Sequence, residues 1–302
     1  MRDGIRVAAP CKINFHLCVM DRRNDGFHNL ESVFQALSFG DELRFESLKD
    51  RFVCDLRMPG SVPPEQNIVQ KAVTLFREQT RFDRGLRITV EKRIPLGAGL
   101  GGGSSNGAAT LWALDKMAGT ELPERVLRGM AEKLGSDVPF FLSGATAFVG
   151  GRGEIVEPLD LSFGPLWVVL VNPAIHSDTK RAFSLLDASR EGKRKPASLP
   201  LGKDTLEKAL REKPSRWPFF NDFLPVLVQF SEEAVSGLYR RCLEDLRSIG
   251  ADFVSLSGSG STCFGVFDDQ KRAEGAVTKL SETWNFVRLT FPLARKGFTV
   301  VE

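Results

Sequence analysis

Residues 95–107 read PLGAGLGGGSSNG, and five of the seven residues from Gly97 to Gly103 are glycine. Such a run resists both helix and strand, because glycine brings no side chain to bury and loses the most backbone freedom on ordering. Its flanks are regular. Leu86, Ile88 and Val90 alternate with Arg87, Thr89 and Glu91, which predicts a strand over 86–94. Ala108 to Leu114 is apolar nearly all round and predicts a buried helix. Strand, glycine run and helix in that order form an anion cradle. Bare backbone lets N–H groups approach a phosphate, and the following helix adds its unpaired N–H groups and positive dipole end. Ser104, Ser105 and Asn106 add side-chain donors or metal ligands. A merely flexible linker would not sit between a clean strand and a buried helix.

Several phosphate motifs compete for this stretch. A Walker A loop requires a lysine after the last glycine, and none is present. A dinucleotide fingerprint is formally matched by Gly97, Gly99 and Gly102. That motif also needs a parallel strand soon after its helix, and here a second helix is predicted at 124–134 before the next strand near 145. A protein-kinase glycine loop runs between two strands rather than into a helix.

The rest of the chain alternates helices and strands. Short strands are expected within 5–47, where Ile13, Phe15 and Leu17 alternate with Lys12, Asn14 and His16, and Asp25-Gly26 marks a turn. Helical spacing appears over 67–79, and strands at 145–149, 154–157 and from Trp167 to Val171. Composition breaks near 160, so the chain is expected to form two α+β domains, 1–160 and 161–302. Residues 190–203 read as an exposed loop, with the charge cluster Glu191 to Lys195 solvated.

The 302 residues carry 41 basic and 38 acidic side chains, a balance too even to argue for nucleic acid. Five cysteines without CxxC spacing fit a reducing compartment, and three histidines are too few for a histidine-rich metal site. With no leader-peptide layout and no apolar run of membrane-spanning length, a cytoplasmic protein is expected.

The pattern Pro-x-Gly-x-Gly-Leu-Gly-x-Gly-Ser-Ser from Pro95 resembles the ATP-phosphate loop of the GHMP kinases. Six further segments narrow the likeness: PCKINFHL at 10–17, RNDGFH at 23–28, PEQNIV at 64–69, LGSDVPFFLSG at 134–144, ND at 221–222 and LSGSGSTCFGVF at 256–267. Together they are similar to the branch of that family whose substrate is 4-diphosphocytidyl-2-C-methyl-D-erythritol.

The resemblance implies a ribosomal-protein-S5-domain-2-like N-terminal half and a ferredoxin-like C-terminal half. It implies transfer of a phosphoryl group from ATP, with Mg²⁺, to the substrate 2-hydroxyl in isoprenoid precursor synthesis. A small cytidine diphosphate substrate, no nucleic-acid or membrane partner, and a monomer or weak homodimer go with it.

The site residues carry over by position. Asp137 matches the aspartate that takes the hydroxyl proton, although alone it would read as a helix cap before Pro139. Lys12 would offset charge developing at the oxygen, and Asn14, two residues on, shares its strand face. Residues 95–106 (Pro95, Leu96, Gly97, Ala98, Gly99, Leu100, Gly101, Gly102, Gly103, Ser104, Ser105, Asn106) would bind ATP, with Asn67 and Lys92 near its adenine and ribose. Ser105, or Ser104, would hold the metal. Phe27 and His28 would recognise cytosine, with Phe183 on its other side and Thr179 nearby. Gly258, Ser259 and Gly260 would fold back beside the substrate.

Phe27 stands where the family has tyrosine, Ser136 and Cys11 stand where it has alanine, and Gly107 lies a turn into the helix. A homoserine or mevalonate kinase has no base to stack against Phe27. A catalytically silent binding protein would not need Lys12 and Asp137. Binding of a nicotinamide cofactor would revive the oxidoreductase reading.

Overall fold

A computed structural model describes residues 3–59, 63, 66–161, 164–191, 199–295 and 298–301. Pro64 and Glu65 of the PEQNIV segment and half of the predicted loop, 192–198, lie outside the described residues.

The expected short strands of 5–47 are two long ones, β1 (Gly4–Arg22) and β2 (His28–Leu48), joined by the Asp25-Gly26 turn. They pair antiparallel along their lengths, with register shifts at Pro10/Cys11, Asn14/His16 and Val19/Arg22. A bulge swaps which face a strand's alternate residues cover. Ile5, Val7 and Ala9 therefore enter one core, whereas Cys11, Ile13 and Phe15 enter another. Lys12 and Asn14 face the other way, into a cavity.

The first sheet has the order β11-β1-β2-β4-β3, with β5 on β2 and β6 on β5. Its remaining strands are β3 (Cys54–Arg57), β4 (Gly85–Glu91), β5 (Thr146–Gly150), β6 (Ile155–Pro158) and β11 (Thr299–Val300). Four helices cover one face: α1 (Ile68–Thr80), α2 (Gly102–Ala118), α3 (Glu124–Leu134) and α4 (Val138–Ser143). The predicted helix spans agree to within a residue for α1 and at both ends for α3. Gly107 of α2 has a packing reason, since a Cβ there would lie 2.9 Å from Ile68 of α1.

The second sheet, β10-β7-β9-β8, is antiparallel throughout. It comprises β7 (Trp167–Asn172), β8 (Phe253–Leu256), β9 (Cys263–Phe267) and β10 (Phe286–Thr290). Helices α5 (Thr179–Arg190), α7 (Phe223–Phe230), α8 (Glu233–Ser248) and α9 (Gln270–Ser281) pack on it, and α6 (Lys203–Leu210) closes a third core. That third core fuses the halves, because Ile13, Phe15 and Leu37 of the first sheet meet Val168, Leu170 and Phe264 of the second. β1 reaches further still, burying Leu17 and Val19 among α5, α7 and α8. The last strand, β11, returns to pair with Val7 and Ala8 of β1, so the chain's end belongs to the first sheet.

Candidate active site

Gly97, Gly99 and Gly101 all have positive φ, between 65° and 73°, a conformation that only glycine adopts cheaply. The zigzag turns carbonyls out of the loop. Leu100 O accepts from Lys12 N–H at 2.9 Å, Ala98 O from Thr262 N–H at 3.1 Å, and Gly99 O from the Ser257 hydroxyl at 2.9 Å. Among the described residues, the N–H groups of Gly97 to Ser104 donate no hydrogen bond. The first intrahelical bond is Ser105 N–H to Gly101 O. The loop thus offers a row of free donors ahead of α2, in place of side chains.

These donors line a groove of about 390 Å³. Residues 95–103, Ser104, Asn106, Asn67 and Lys92 all lie on its wall. Ser105 does not: its side chain turns inward, fully buried, and its hydroxyl has no hydrogen-bond partner. Asn67 caps α1, its Oδ1 accepting from Val69 N–H at 2.9 Å. Lys92 is tied by its ammonium to Asp41, which also accepts from Asn106 Nδ2 at 3.0 Å and from the N–H groups of Arg93 and Ile94 at 2.8 Å. Asp41 is the buried hub that anchors the groove floor, a role the sequence reading missed.

A second cavity, of about 310 Å³, lies across the loop and shares Gly99 and Gly101 with the first. At the seam stands Lys12, 4% exposed. A buried ammonium needs partners, and three surround it. Asn14 Oδ1 accepts from Nζ at 2.9 Å, Asp137 Oδ2 lies 3.4 Å away, and the Phe34 ring centroid is 4.5 Å off. Asn14 in turn accepts from Gly258 N–H at 2.9 Å and donates to Ser32. Asp137 sits at the start of α4 but makes no side-chain cap bond, so its carboxylate is available to the cavity.

The far wall carries Phe27, His28, Thr179, Phe183 and Ser259. Phe27 is 54% exposed, with the Arg152 guanidinium 5.1 Å from its ring. Phe183 does not sit as an isolated second plate. It stacks on His28 at 5.0 Å and 19°, and meets Phe223 edge-on at 4.9 Å. Thr179 Oγ1 and Ser259 Oγ are 3.0 Å apart. Gly260 is behind the wall, where a Cβ would come within 2.7 Å of the Tyr239 hydroxyl. Asn221 holds the 256–260 turn, donating to Leu256 O and Gly258 O at 2.8 Å. Arg152, on the β5–β6 turn, and Asp187, bonded to His28, were missed from the sequence. Arg152 gave no signal beyond a charge between glycines, whereas Asp187 lies four residues after Phe183 in a helix-forming stretch.

Elsewhere on β1, His16 is fully buried against Phe219 and Phe220. Its Nδ1 accepts a long bond from Phe220 N–H at 3.4 Å, and burial pushes the imidazole down from 6.5 to about 4. Glu31 is 3.4 Å from Nε2, but its oxygens already accept from the N–H groups of Leu201 and Gly202. Burial also pushes the Cys11 thiol, beside Lys12, far up, so it stays protonated and inert. All five cysteines are free thiols. Among the described residues no three His, Cys, Asp or Glu side chains gather as a metal cluster, and no helix is long and apolar enough to cross a membrane.

A glycine-lined groove meets a second cavity at a Lys–Asp pair, an arrangement consistent with an ATP-dependent small-molecule kinase of the GHMP type. The comparisons agree. The family described as GHMP kinases N terminal domain matches residues 67–145, and GHMP kinases C terminal matches 229–285. A 4-diphosphocytidyl-2-C-methyl-D-erythritol kinase of Treponema pallidum (strain Nichols) is 36% identical over 290 residues, 93% of this chain and 96% of that protein. A solved structure of 4-(cytidine 5'-diphospho)-2C-methyl-D-erythritol kinase superposes with a TM-score of 0.80 at 29% identity, covering 95% of this chain and 99% of that one. The homoserine kinase of Cytophaga hutchinsonii ATCC 33406 has a TM-score of 0.72 at 18% identity, covering 100% and 98%, a likeness of fold alone. The chain belongs to the 4-diphosphocytidyl-2-C-methyl-D-erythritol kinase family.

Proposed function

We propose that the chain transfers the γ-phosphoryl group of ATP to the 2-hydroxyl of 4-diphosphocytidyl-2-C-methyl-D-erythritol, in the cytoplasm and as a step toward isoprenoid precursors. The observation that carries this is the Lys12–Asp137 pair at the seam where the two cavities share Gly99 and Gly101. A γ-phosphate held by the loop N–H groups would end at that seam, and a hydroxyl entering from the other cavity would meet it beside Asp137.

Asp137 accepts the hydroxyl proton as the oxygen attacks. Lys12 offsets negative charge gathering on the transferring oxygens, and Asn14 holds Lys12 in place. Phe27 supplies a face for the cytosine ring, and His28 supplies its polar edge. Thr179 and Ser259 line the sugar-alcohol side. Domains of 1–160 and 161–302 would carry ATP and substrate between them, with β11 returning as a strap. The chain acts as a monomer or weak homodimer on a small molecule, without nucleic acid.

Magnesium fits the groove by its donor set, since it takes hard oxygen ligands and keeps several waters and phosphate oxygens. Ser104 on the groove wall is the protein oxygen that would hold it, whereas the Ser105 hydroxyl, the metal ligand expected from the sequence, is buried away from the groove. Bound there, it would neutralise charge on the ATP phosphates.

The test is ADP release with ATP and magnesium, offering the cytidine substrate, homoserine and mevalonate in parallel. Release with the cytidine substrate alone is expected. Release with homoserine or mevalonate instead would overturn the assignment of Phe27 and His28.

A further inference from the structure

His28 is held from behind. Its Nε2 is 2.8 Å from Asp187 Oδ1, its ring lies flat on Phe183, and the residue is buried while lining the acceptor cavity. Both partners come from one helix. Phe183 and Asp187 are four residues apart on α5, hence on one face. Ala182 and Leu186, on the neighbouring face, are locked into the second core, and Phe183 is braced by Phe223. The orientation of α5 is therefore fixed by packing, and with it the direction of the Asp187 carboxylate.

An ionised carboxylate accepts hydrogen bonds and cannot donate. The hydrogen in the His28–Asp187 contact must then reside on Nε2. In the neutral imidazole, this leaves the proton off Nδ1, which becomes an acceptor. Among the described residues Nδ1 has no hydrogen-bond partner of its own. The cytosine edge carries an exocyclic amine, a donor, where uracil carries a carbonyl oxygen, an acceptor.

We infer that Asp187 is a positioning residue that fixes the Nε2–H tautomer of His28, so that Nδ1 reads the exocyclic amine of cytosine and rejects uracil. This rests on the assignment of the cavity to a cytidine diphosphate substrate. An asparagine at 187 can donate or accept, so it would hold the ring without dictating its tautomer.

The experiment has two arms, both run above the ordinary imidazole titration range. In the first, kcat and KM are measured with the cytidine substrate and its uridine counterpart for the native chain, Asp187→Asn and Asp187→Glu. The cytidine-over-uridine preference is expected to fall about tenfold in Asp187→Asn, with the loss falling on KM rather than kcat, and to recover in part in Asp187→Glu. In the second, ¹⁵N-resolved imidazole spectra report the tautomer; with three histidines in the chain, His28→Gln assigns the signal. A pure Nε2–H tautomer is expected in the native chain and a mixture in Asp187→Asn.

An unchanged preference in Asp187→Asn, or an Nδ1–H tautomer in the native chain, overturns the inference while leaving the kinase assignment standing. Failure of the native chain to phosphorylate the cytidine substrate at all instead overturns the assignment, and the base-reading inference falls with it.

Discussion

The two cavities that share Gly99 and Gly101 are built in opposite ways. Most of the groove proposed for ATP comes from the contiguous stretch 92–106, and what its glycines offer is backbone N–H. The acceptor cavity draws on β1, the β1–β2 turn, the α3–α4 junction, the β5–β6 turn, α5 and the 256–260 turn, and its groups are side chains. A backbone site can be written in one short motif, because the same phosphate geometry always needs the same bare loop. A side-chain site must be assembled from wherever the fold delivers the groups. Damage to the first should therefore act on ATP, damage to the second on the acceptor, and damage at the seam on both.

The largest effect is expected from Asp137→Asn. Loss of the proton acceptor should lower kcat about a thousandfold, with the KM for ATP nearly unchanged, as measured by ADP release. An equal loss of ATP affinity would show that the two cavities are not separable at Asp137.

Gly99→Ala should strike both sides. A Cβ there would stand 2.2 Å from Ser257 O and 2.6 Å from Gly260 O, on a backbone with φ of +73°. Neither neighbour is a flexible side-chain end. A cost of about 3 kcal/mol is expected, with thermal denaturation shifted and the KM for both substrates raised. An effect confined to ATP would break the idea of a shared seam.

A residue of β1 that lines neither cavity, His16, should also make stability depend on pH. His16 has a folded value near 4 against 6.5 when free, so the unfolded chain binds the proton first as pH falls. Its stabilisation is complete above about pH 6.5, is lost as pH drops toward 4, and amounts to about 3 kcal/mol. Denaturant unfolding across that range should show the decline, and His16→Gln should flatten it.

Gly97→Ala should be the mildest. Its φ of +65° strains alanine by about 1 kcal/mol, but the atom in the way is the exposed ring of His176, 2.8 Å off, which can swing aside. A modest rise in the KM for ATP alone is expected, and His176→Ala should relieve only the contact, not the backbone strain.

Legibility followed the same division. Helices α1 and α3 were readable because their apolar spacing is local. The strands of 5–47 were cut too short, because bulges at Cys11 and His16 interrupt the alternation while the hydrogen-bonded ladder continues. Lys92 was readable as a groove residue, but its bond to Asp41 was not, since the pair is 51 positions apart. Arg152 and Asp187 escaped notice because a lone charge on a turn or helix looks solvated until a partner ring is placed beside it.

By itself the sequence determined the glycine loop between a strand and a buried helix, because that rests on residue types at fixed short spacing; the kinase class and the roles expected of Lys12 and Asp137 came through the family resemblance. Only the tertiary structure decided that Ser104 rather than Ser105 faces the groove, that Gly260 stands behind the wall, and that His28 is oriented by a carboxylate 159 residues away. The physical reason is that a side chain's direction and partner are set by the packing of the element that carries it, and that packing is a property of the whole fold.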